Sequence, residues 1–232
     1  FRRVLFRSID VDAALNAIED SSPTLIFLTT PNNPTGTSIS LKEIVRIAQA
    51  AAQKRALVIV DEAYAEFSSI PSATTLIKDY PNILVIRTMS KAFAFAGARV
   101  GYLIARPEVI NAMLLVRLPY HLSALTQAAA IAALNDEAYL AQSAKLNAEG
   151  YEQLTLAFKA MAIEYVPSSG NFVLFRAGQD DGAGARVNLA LLKKGIIVRP
   201  VGNYGLPQWL RVSIGLPEEN TAFLTALKSV LA

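Results

Sequence analysis

Apolar positions along the chain fall into two successive patterns. In the first, short aliphatic runs alternate with a helical stripe: Leu25 to Thr29, Leu57 to Val60, Ile83 to Arg87 and Val100 to Ala105 read as strands, and residues 41 to 53 as a helix. Ser40-Leu41-Lys42-Glu43 has the form of a capping box, and Ile44, Ile47 and Ala48 follow at the spacing of one helical face. Two of the strands are nearly continuous apolar runs, which predicts parallel strands covered on both faces. Alternating strand and helix predicts an α/β fold with a mostly parallel sheet, in which ligands bind at the C-terminal strand ends.

From Pro107 the pattern turns helical. Glu108 to Arg117, Ser123 to Leu134 and Asp136 to Met161 read as helices of a region connecting two domains. Beyond Pro167-Ser168-Ser169-Gly170 come a strand at Phe172 to Phe175, a helix ending at Gly195, short strands at Ile196 to Val198 and Leu210 to Ile214, and a C-terminal helix opened by Pro217. Runs of this kind predict a small α+β domain. The expected division is a large domain, incomplete, over residues 9–135 and a small C-terminal domain with its connecting helix over 136–232.

Composition narrows the function classes. With 232 residues and 53% hydrophobic content the chain can bury a sizeable core. Its apolar runs are far shorter than the roughly 18 residues of a membrane span. Cysteine is absent and histidine occurs once, which excludes a disulfide framework and a zinc cluster and leaves no metal site to expect. The net charge of +3 comes from dispersed lysines and arginines, not an aromatic-laced basic stripe, and argues against nucleic acid. A cytoplasmic enzyme is the expectation. Residues 1–8, Phe-Arg-Arg-Val-Leu-Phe-Arg-Ser, back-translate into codons resembling a sequencing-library adapter. They are expected to be a non-native leader on an N-terminally truncated chain.

Chemistry concentrates at the predicted strand ends. Lys91, in Thr88-Met89-Ser90-Lys91-Ala92-Phe93, follows a buried strand with little other charge nearby, where a lysine can act as a nucleophile toward a carbonyl carbon. The alternative is a solvated loop lysine. Asp61, in Asp61-Glu62-Ala63-Tyr64, puts a carboxylate at another strand end, a costly place unless a cation such as a protonated pyridine nitrogen sits opposite. Tyr64 could bond a phenolic oxygen on the same ring, and the alternative for Asp61 is a helix N-cap. Pro31-Asn32-Asn33-Pro34-Thr35-Gly36 holds Asn33 at a third strand end, or is a plain turn. Four such residues, at three strand ends, would converge on one crevice. His121 reads as a packing residue, and Gly182-Ala183-Gly184 lacks the context of a phosphate loop.

Asn-Asn-Pro-Thr-Gly, Asp-Glu-Ala-Tyr, and Ser-Lys-Ala-Phe followed by Gly-x-Arg, in this order, resemble the class I/II aminotransferases of pyridoxal-phosphate fold type I. The resemblance covers residues 9 to 232 and implies pyridoxal 5'-phosphate as cofactor. It implies Lys91 as the Schiff-base lysine, Asp61 on the pyridine nitrogen, Asn33 and Tyr64 on the ring hydroxyl, and Ser90 and Arg99 on the phosphate. Asp-Glu-Ala-Tyr-Ala-Glu-Phe at 61–67, Arg-Thr-Met-Ser-Lys-Ala-Phe-Ala-Phe-Ala-Gly at 87–97 and Leu-Pro-Tyr-His-Leu-Ser at 118–123 are similar to the histidinol-phosphate branch of that family. So are segments 169–175, 195–199 and 209–215. That branch implies Arg211 as the anion clamp, with Arg199 a second candidate, and a homodimer exchanging an amino group between histidinol phosphate and 2-oxoglutarate. An aromatic aminotransferase or threonine-phosphate decarboxylase of the same fold, or a pyridoxal-phosphate-sensing regulatory domain, are the alternatives.

Overall fold

The computed structural model of the protein describes residues 9 to 231, so the expected leader at residues 1–8 lies outside the described residues. The chain divides into two compact units, one holding residues up to 31 and 38–143, the other residues 32–37 and 144–232. The division at 143/144 lies inside a helix, several residues beyond the expected 135/136. Residues 32–37 belong to the second unit because their turn is held there, against the 168–170 loop.

The first unit contains α1 (Val11–Ser21), β1 (Leu25–Thr29), α2 (Leu41–Gln53), β2 (Leu57–Asp61), β3 (Ile83–Thr88), β4 (Gly101–Ile104), α3 (Pro107–Val116), α4 (Ala124–Leu134) and the start of α5 (Glu137–Ala160). Its sheet has the order β1-β2-β3-β4, with β1, β2 and β3 parallel and β4 antiparallel to β3. The capping box of α2 is formed: Ser40 Oγ accepts from Glu43 N–H, and the Glu43 carboxylate accepts from Ser40 N–H at 2.6 Å. Two donors that a helix N-terminus would otherwise leave unpaired are thus satisfied.

Helices α1 and α2 cover one face of this sheet. Val11, Ala14 and Ile18 from α1 and Ile44, Ile47 and Ala48 from α2 pack on Ile26, Leu28, Val58, Val60, Ile83 and Val85. The expectation that the strands are buried on both faces is corrected here. Leu25 and Phe27 are 48% and 59% exposed, because among the described residues nothing packs on that side of β1. Helices α3 and α4 likewise carry no fully buried residue, and they belong to the first unit up to residue 143 instead of forming a separate connector.

The second unit contains the rest of α5, then β5 (Tyr165–Val166), β6 (Phe172–Arg176), α6 (Ala183–Leu192), β7 (Arg199–Pro200), β8 (Trp209–Ser213) and α7 (Pro217–Leu231). Its antiparallel sheet has the order β5-β6-β8-β7. On one face Val173, Phe175, Leu210 and Val212 meet Phe158 of α5, Leu191 of α6 and Phe223 of α7. Phe175 packs against both Phe158 and Phe223, with ring centroids 5.2 and 5.7 Å away. The residues that alternate with these, Phe172, Leu174, Trp209 and Arg211, point to the opposite face. The strand expected at Ile196 to Val198 is displaced: the pairing residues are Arg199 and Pro200, opposite Arg211 and Leu210. Apolar character suggested the earlier stretch, but Val198 is buried by its contact with the helical core without joining the ladder.

Candidate active site

Lys91, Asp61, Tyr64, Ser90 and Arg99 lie in the first unit, whereas Asn33, Arg211 and Arg199 lie in the second. In the first unit the site grows from the ends of adjacent parallel strands. Asp61 closes β2 and its carbonyl accepts from Thr30 N–H at 2.9 Å, just past the end of β1. Glu62 N–H then donates to Ile86 O of β3 at 2.9 Å, which ties the segment carrying Asp61 and Tyr64 to the strand leading to Lys91. The result is visible in the side chains. Lys91 Nζ lies 5.5 Å from the centroid of the Tyr64 ring, a cation–π distance, with Tyr64 buried and Lys91 exposed.

The Lys91 loop is closed on itself. Met89 N–H donates to Val100 O at 3.0 Å, Phe95 N–H to Met89 O at 2.9 Å, and Ala94 N–H to Lys91 O at 3.0 Å. Met89, Phe93 and Val100 are buried together beneath it, packed by Ala130 and Ala133 of α4. Ser90 is oriented by Thr88, whose Oγ1 accepts from Ser90 N–H at 3.1 Å and bonds its hydroxyl at 2.9 Å. Arg99 is exposed, takes a left-handed backbone (φ 55), and donates from Nη1 to Ala96 O at 3.0 Å. Thr88 is a residue that sequence reasoning missed. Its position two before a strand-end serine is the one signal that could have pointed to it.

Asp61 is half-buried, and burial pushes its carboxyl above the usual aspartate range, opposed by the hydrogen bond it accepts from Ala63 N–H at 3.0 Å. Among the described residues no cationic side chain forms an ion pair with it. The helix N-cap alternative is not what forms: the next helical turn starts at Ala65, and Tyr64 occupies the cap position. A raised folded pKa means that the protonated carboxyl is the one the fold prefers. That contribution to stability is full below the unfolded value of about 3.9 and is lost as pH rises through the folded value. Asp61→Asn should therefore raise the melting temperature of the ligand-free protein at about pH 7, with the gain vanishing toward about pH 4. A melting curve that shifts equally at both pH values would refute this account of Asp61.

In the second unit, Asn33 and Arg211 meet: Arg211 Nη1 donates to Asn33 Oδ1 at 2.5 Å. The guanidinium carbon lies 4.8 Å from the centroid of the Phe172 ring. A guanidinium carries five N–H donors in a fixed fork, so pinning its plane on a ring and one oxygen fixes the directions of its other donors. Arg199 is exposed and directly opposite Arg211 across the β7–β8 ladder, so both side chains leave the same face. The turn bearing Asn33 is held by Ser169 N–H donating to Gly36 O at 2.8 Å. Gly36 has φ +76, and a Cβ there would collide with Ser168, including its backbone. His121 is exposed on the segment before α4, so the expected packing role is not realised within the described residues.

An aspartate and a tyrosine at one strand end and a lysine amine after the next, in this chain order, stand in a sequence most of which matches a known family. The family model described as aminotransferase class I and II aligns with residues 1–227. The chain belongs to the class I and II aminotransferases. This aminotransferase-family chain is 53% identical over 226 residues to histidinol-phosphate aminotransferase 2 of Ralstonia nicotianae, covering 96% of this chain and 60% of that protein. In fold it is similar to the histidinol-phosphate aminotransferase of Sinorhizobium meliloti in complex with pyridoxal-5'-phosphate, with a TM-score of 0.88 and 31% identity over 97% of this chain and 62% of that one. It is also similar to the histidinol-phosphate aminotransferase of Clostridium acetobutylicum, with a TM-score of 0.91 and 29% identity over 99% and 70%. The chain spans about 60% of the length of the curated relatives it matches. The expected fold, type I of the pyridoxal-phosphate-dependent transferases, with a mostly parallel sheet and a separate antiparallel one, is the fold observed.

Proposed function

We propose that the protein is a pyridoxal-phosphate-dependent aminotransferase acting on histidinol phosphate and 2-oxoglutarate, in cells from imidazole-acetol phosphate and glutamate, within histidine biosynthesis. The observation that carries this reading is the Lys91 amine over the Tyr64 ring at the ends of adjacent parallel strands, one of which ends in Asp61. Similarity to proteins named histidinol-phosphate aminotransferase supports the choice of substrate. Among the described residues no helix is long and apolar enough to cross a membrane, and a cytoplasmic homodimer is part of the proposal.

The residues fit the cofactor by their chemistry. Asp61, half-buried and with its pKa raised by burial, would gain a cationic partner in a protonated ring nitrogen, and that contact would favour the charged carboxylate. Ser90, oriented by Thr88, and the Arg99 guanidinium would take the phosphate oxygens, as a hydroxyl and a cationic fork do well. Tyr64 would hold the ring hydroxyl. When bound, pyridoxal phosphate supplies an aldehyde carbon for amines and a ring that accepts electrons from the substrate carbon. Lys91 would hold the cofactor through its amine, and once displaced by the incoming amine would move a proton as a general base and acid. Arg211, backed by Phe172 and Asn33 and with Arg199 opposite, would orient the phosphate of one substrate and the side-chain carboxylate of the other.

Adding histidinol phosphate to the purified protein with pyridoxal phosphate should discharge the visible absorbance of the lysine-linked cofactor, and 2-oxoglutarate should restore it. Discharge by phenylalanine but not by histidinol phosphate would move the substrate to the aromatic class. Release of carbon dioxide from threonine phosphate would replace transamination with decarboxylation.

A further inference from the structure

Next to Asp61 lies a cluster of charged groups with no part in the chemistry just described. Glu62 is 3% exposed, and its carboxylate is fully engaged. Oε1 accepts from Ala73 N–H at 2.6 Å, while Oε2 accepts from Ser72 Oγ at 2.7 Å and from Arg87 Nε and Nη2 at 3.1 and 2.8 Å. Arg87 Nη1 also faces Glu66 Oε1 at 3.6 Å, and both Glu66 oxygens are buried. Burial pushes the Glu66 carboxyl up and Glu62 adds to the shift, whereas its own backbone N–H and Arg87 oppose it. One guanidinium therefore serves two carboxylates in a water-poor corner of the first unit.

A buried ion pair is a weak source of stability, since desolvation consumes most of the attraction and apolar residues of similar size would do as well. Geometry is what this one can specify. Glu62 follows Asp61 directly and lies two residues before Tyr64; Arg87 is on β3, one residue before Thr88, which orients Ser90. The two-point contact between carboxylate and guanidinium locks distance and angle together, and it reinforces the bond from Glu62 N–H to Ile86 O. We propose that Glu62 and Arg87 are positioning residues that set the relation between the strand end bearing Asp61 and Tyr64 and the one bearing Ser90 and Lys91. The inference rests on the reading of Lys91 as the cofactor lysine only for its consequence in catalysis; the mechanical coupling stands on this unit alone.

The test compares Glu62→Gln, which keeps shape and removes charge, and the gentler Arg87→Lys, which keeps charge and loses the fork, with Val85→Ala. Val85 is a fully buried neighbour on β3, and its truncation destabilises the unit without touching the pair. In the cofactor-free protein, amide hydrogen exchange should accelerate selectively at residues 62–64 and 88–91 in both charge-pair variants and not in Val85→Ala. With pyridoxal phosphate added, the pH midpoint of the visible band should move in those two variants and stay in place in Val85→Ala. Turnover should fall by about 10- to 100-fold, more in kcat than in KM, as expected for small misplacement of a reacting group. Acceleration confined to residues 72–76 would show that Glu62 merely caps that turn, and acceleration matching Val85→Ala would show a general structural role; either overturns the proposal. If the wild-type protein shows no visible band, the cofactor reading fails and the exchange data still decide the positioning claim.

Discussion

Lys91→Ala should abolish the visible band of bound pyridoxal phosphate and reduce turnover by at least about 10³-fold, the scale of losing a group that is both nucleophile and general base. The expectation follows from placement. Lys91 is held by a loop closed through Met89, Phe95 and Val100, over a buried apolar cluster, so its backbone has little freedom and its amine is directed to the Tyr64 ring. Among the described residues no other lysine occupies a strand end of the first sheet; Lys42 is in α2, Lys54 at its C-terminus and Lys78 in the 77–82 turn region. Borohydride reduction of the wild-type protein with cofactor, followed by peptide mapping, should mark the peptide containing Lys91. Cofactor trapped on a different lysine, or a Lys91→Ala protein with an unchanged spectrum, would remove the assignment.

The second large effect is expected at Arg211. Arg211→Ala should raise KM for both the phosphorylated amine and 2-oxoglutarate, with kcat/KM falling by roughly 10²-fold or more, as when one partner of a desolvated, hydrogen-bonded charge pair is lost at about 2–5 kcal/mol. Arg211→Lys should recover little of this, because an ammonium reproduces the charge but neither the fork nor the stacking on Phe172. Both substrates should suffer, because each carries an anionic group beyond its reacting carbon. Steady-state kinetics with each substrate varied in turn decides the matter. Unchanged KM values in Arg211→Ala would transfer the clamp to another cation, with Arg199, opposite it on β7, the first to test.

Much of the fold was legible in the order of residues because the information is local. Strand β1 and helix α2 were read with the bounds observed, since a capping box, a helical apolar stripe and a run of aliphatic residues all act over a few positions. Lys91, Asp61, Tyr64 and Asn33 could be singled out for a related reason: each stands at or shortly after the end of an apolar strand, where a polar side chain is conspicuous. Helix α1 and the two-residue strand β5 were not read. The first has a good N-cap in Asp10 but a mixed apolar stripe, and the second is too short to carry a period.

What the chain order could not supply was the pairing of distant residues. Thirty positions separate Lys91 from Asp61, and nothing in their spacing puts the amine over Tyr64; parallel pairing of β2 with β3 and closure of the 89–100 loop do that. Arg211 and Asn33 are 178 positions apart and meet because the 32–37 turn joins the second unit. Glu62 and Arg87 would each pass for solvated charges, and it is burial in one corner that makes them a pair. Similarly, an apolar run announces that a strand wants cover, yet whether a helix lies on one face or both depends on elements elsewhere, as exposed Phe27 and buried Leu28 show side by side. Local propensity, capping and the residue types of the chemistry act over a few bonds and can be read along the chain; register, burial and the meeting of charges are free energies of long-range contact, settled when the strands pair.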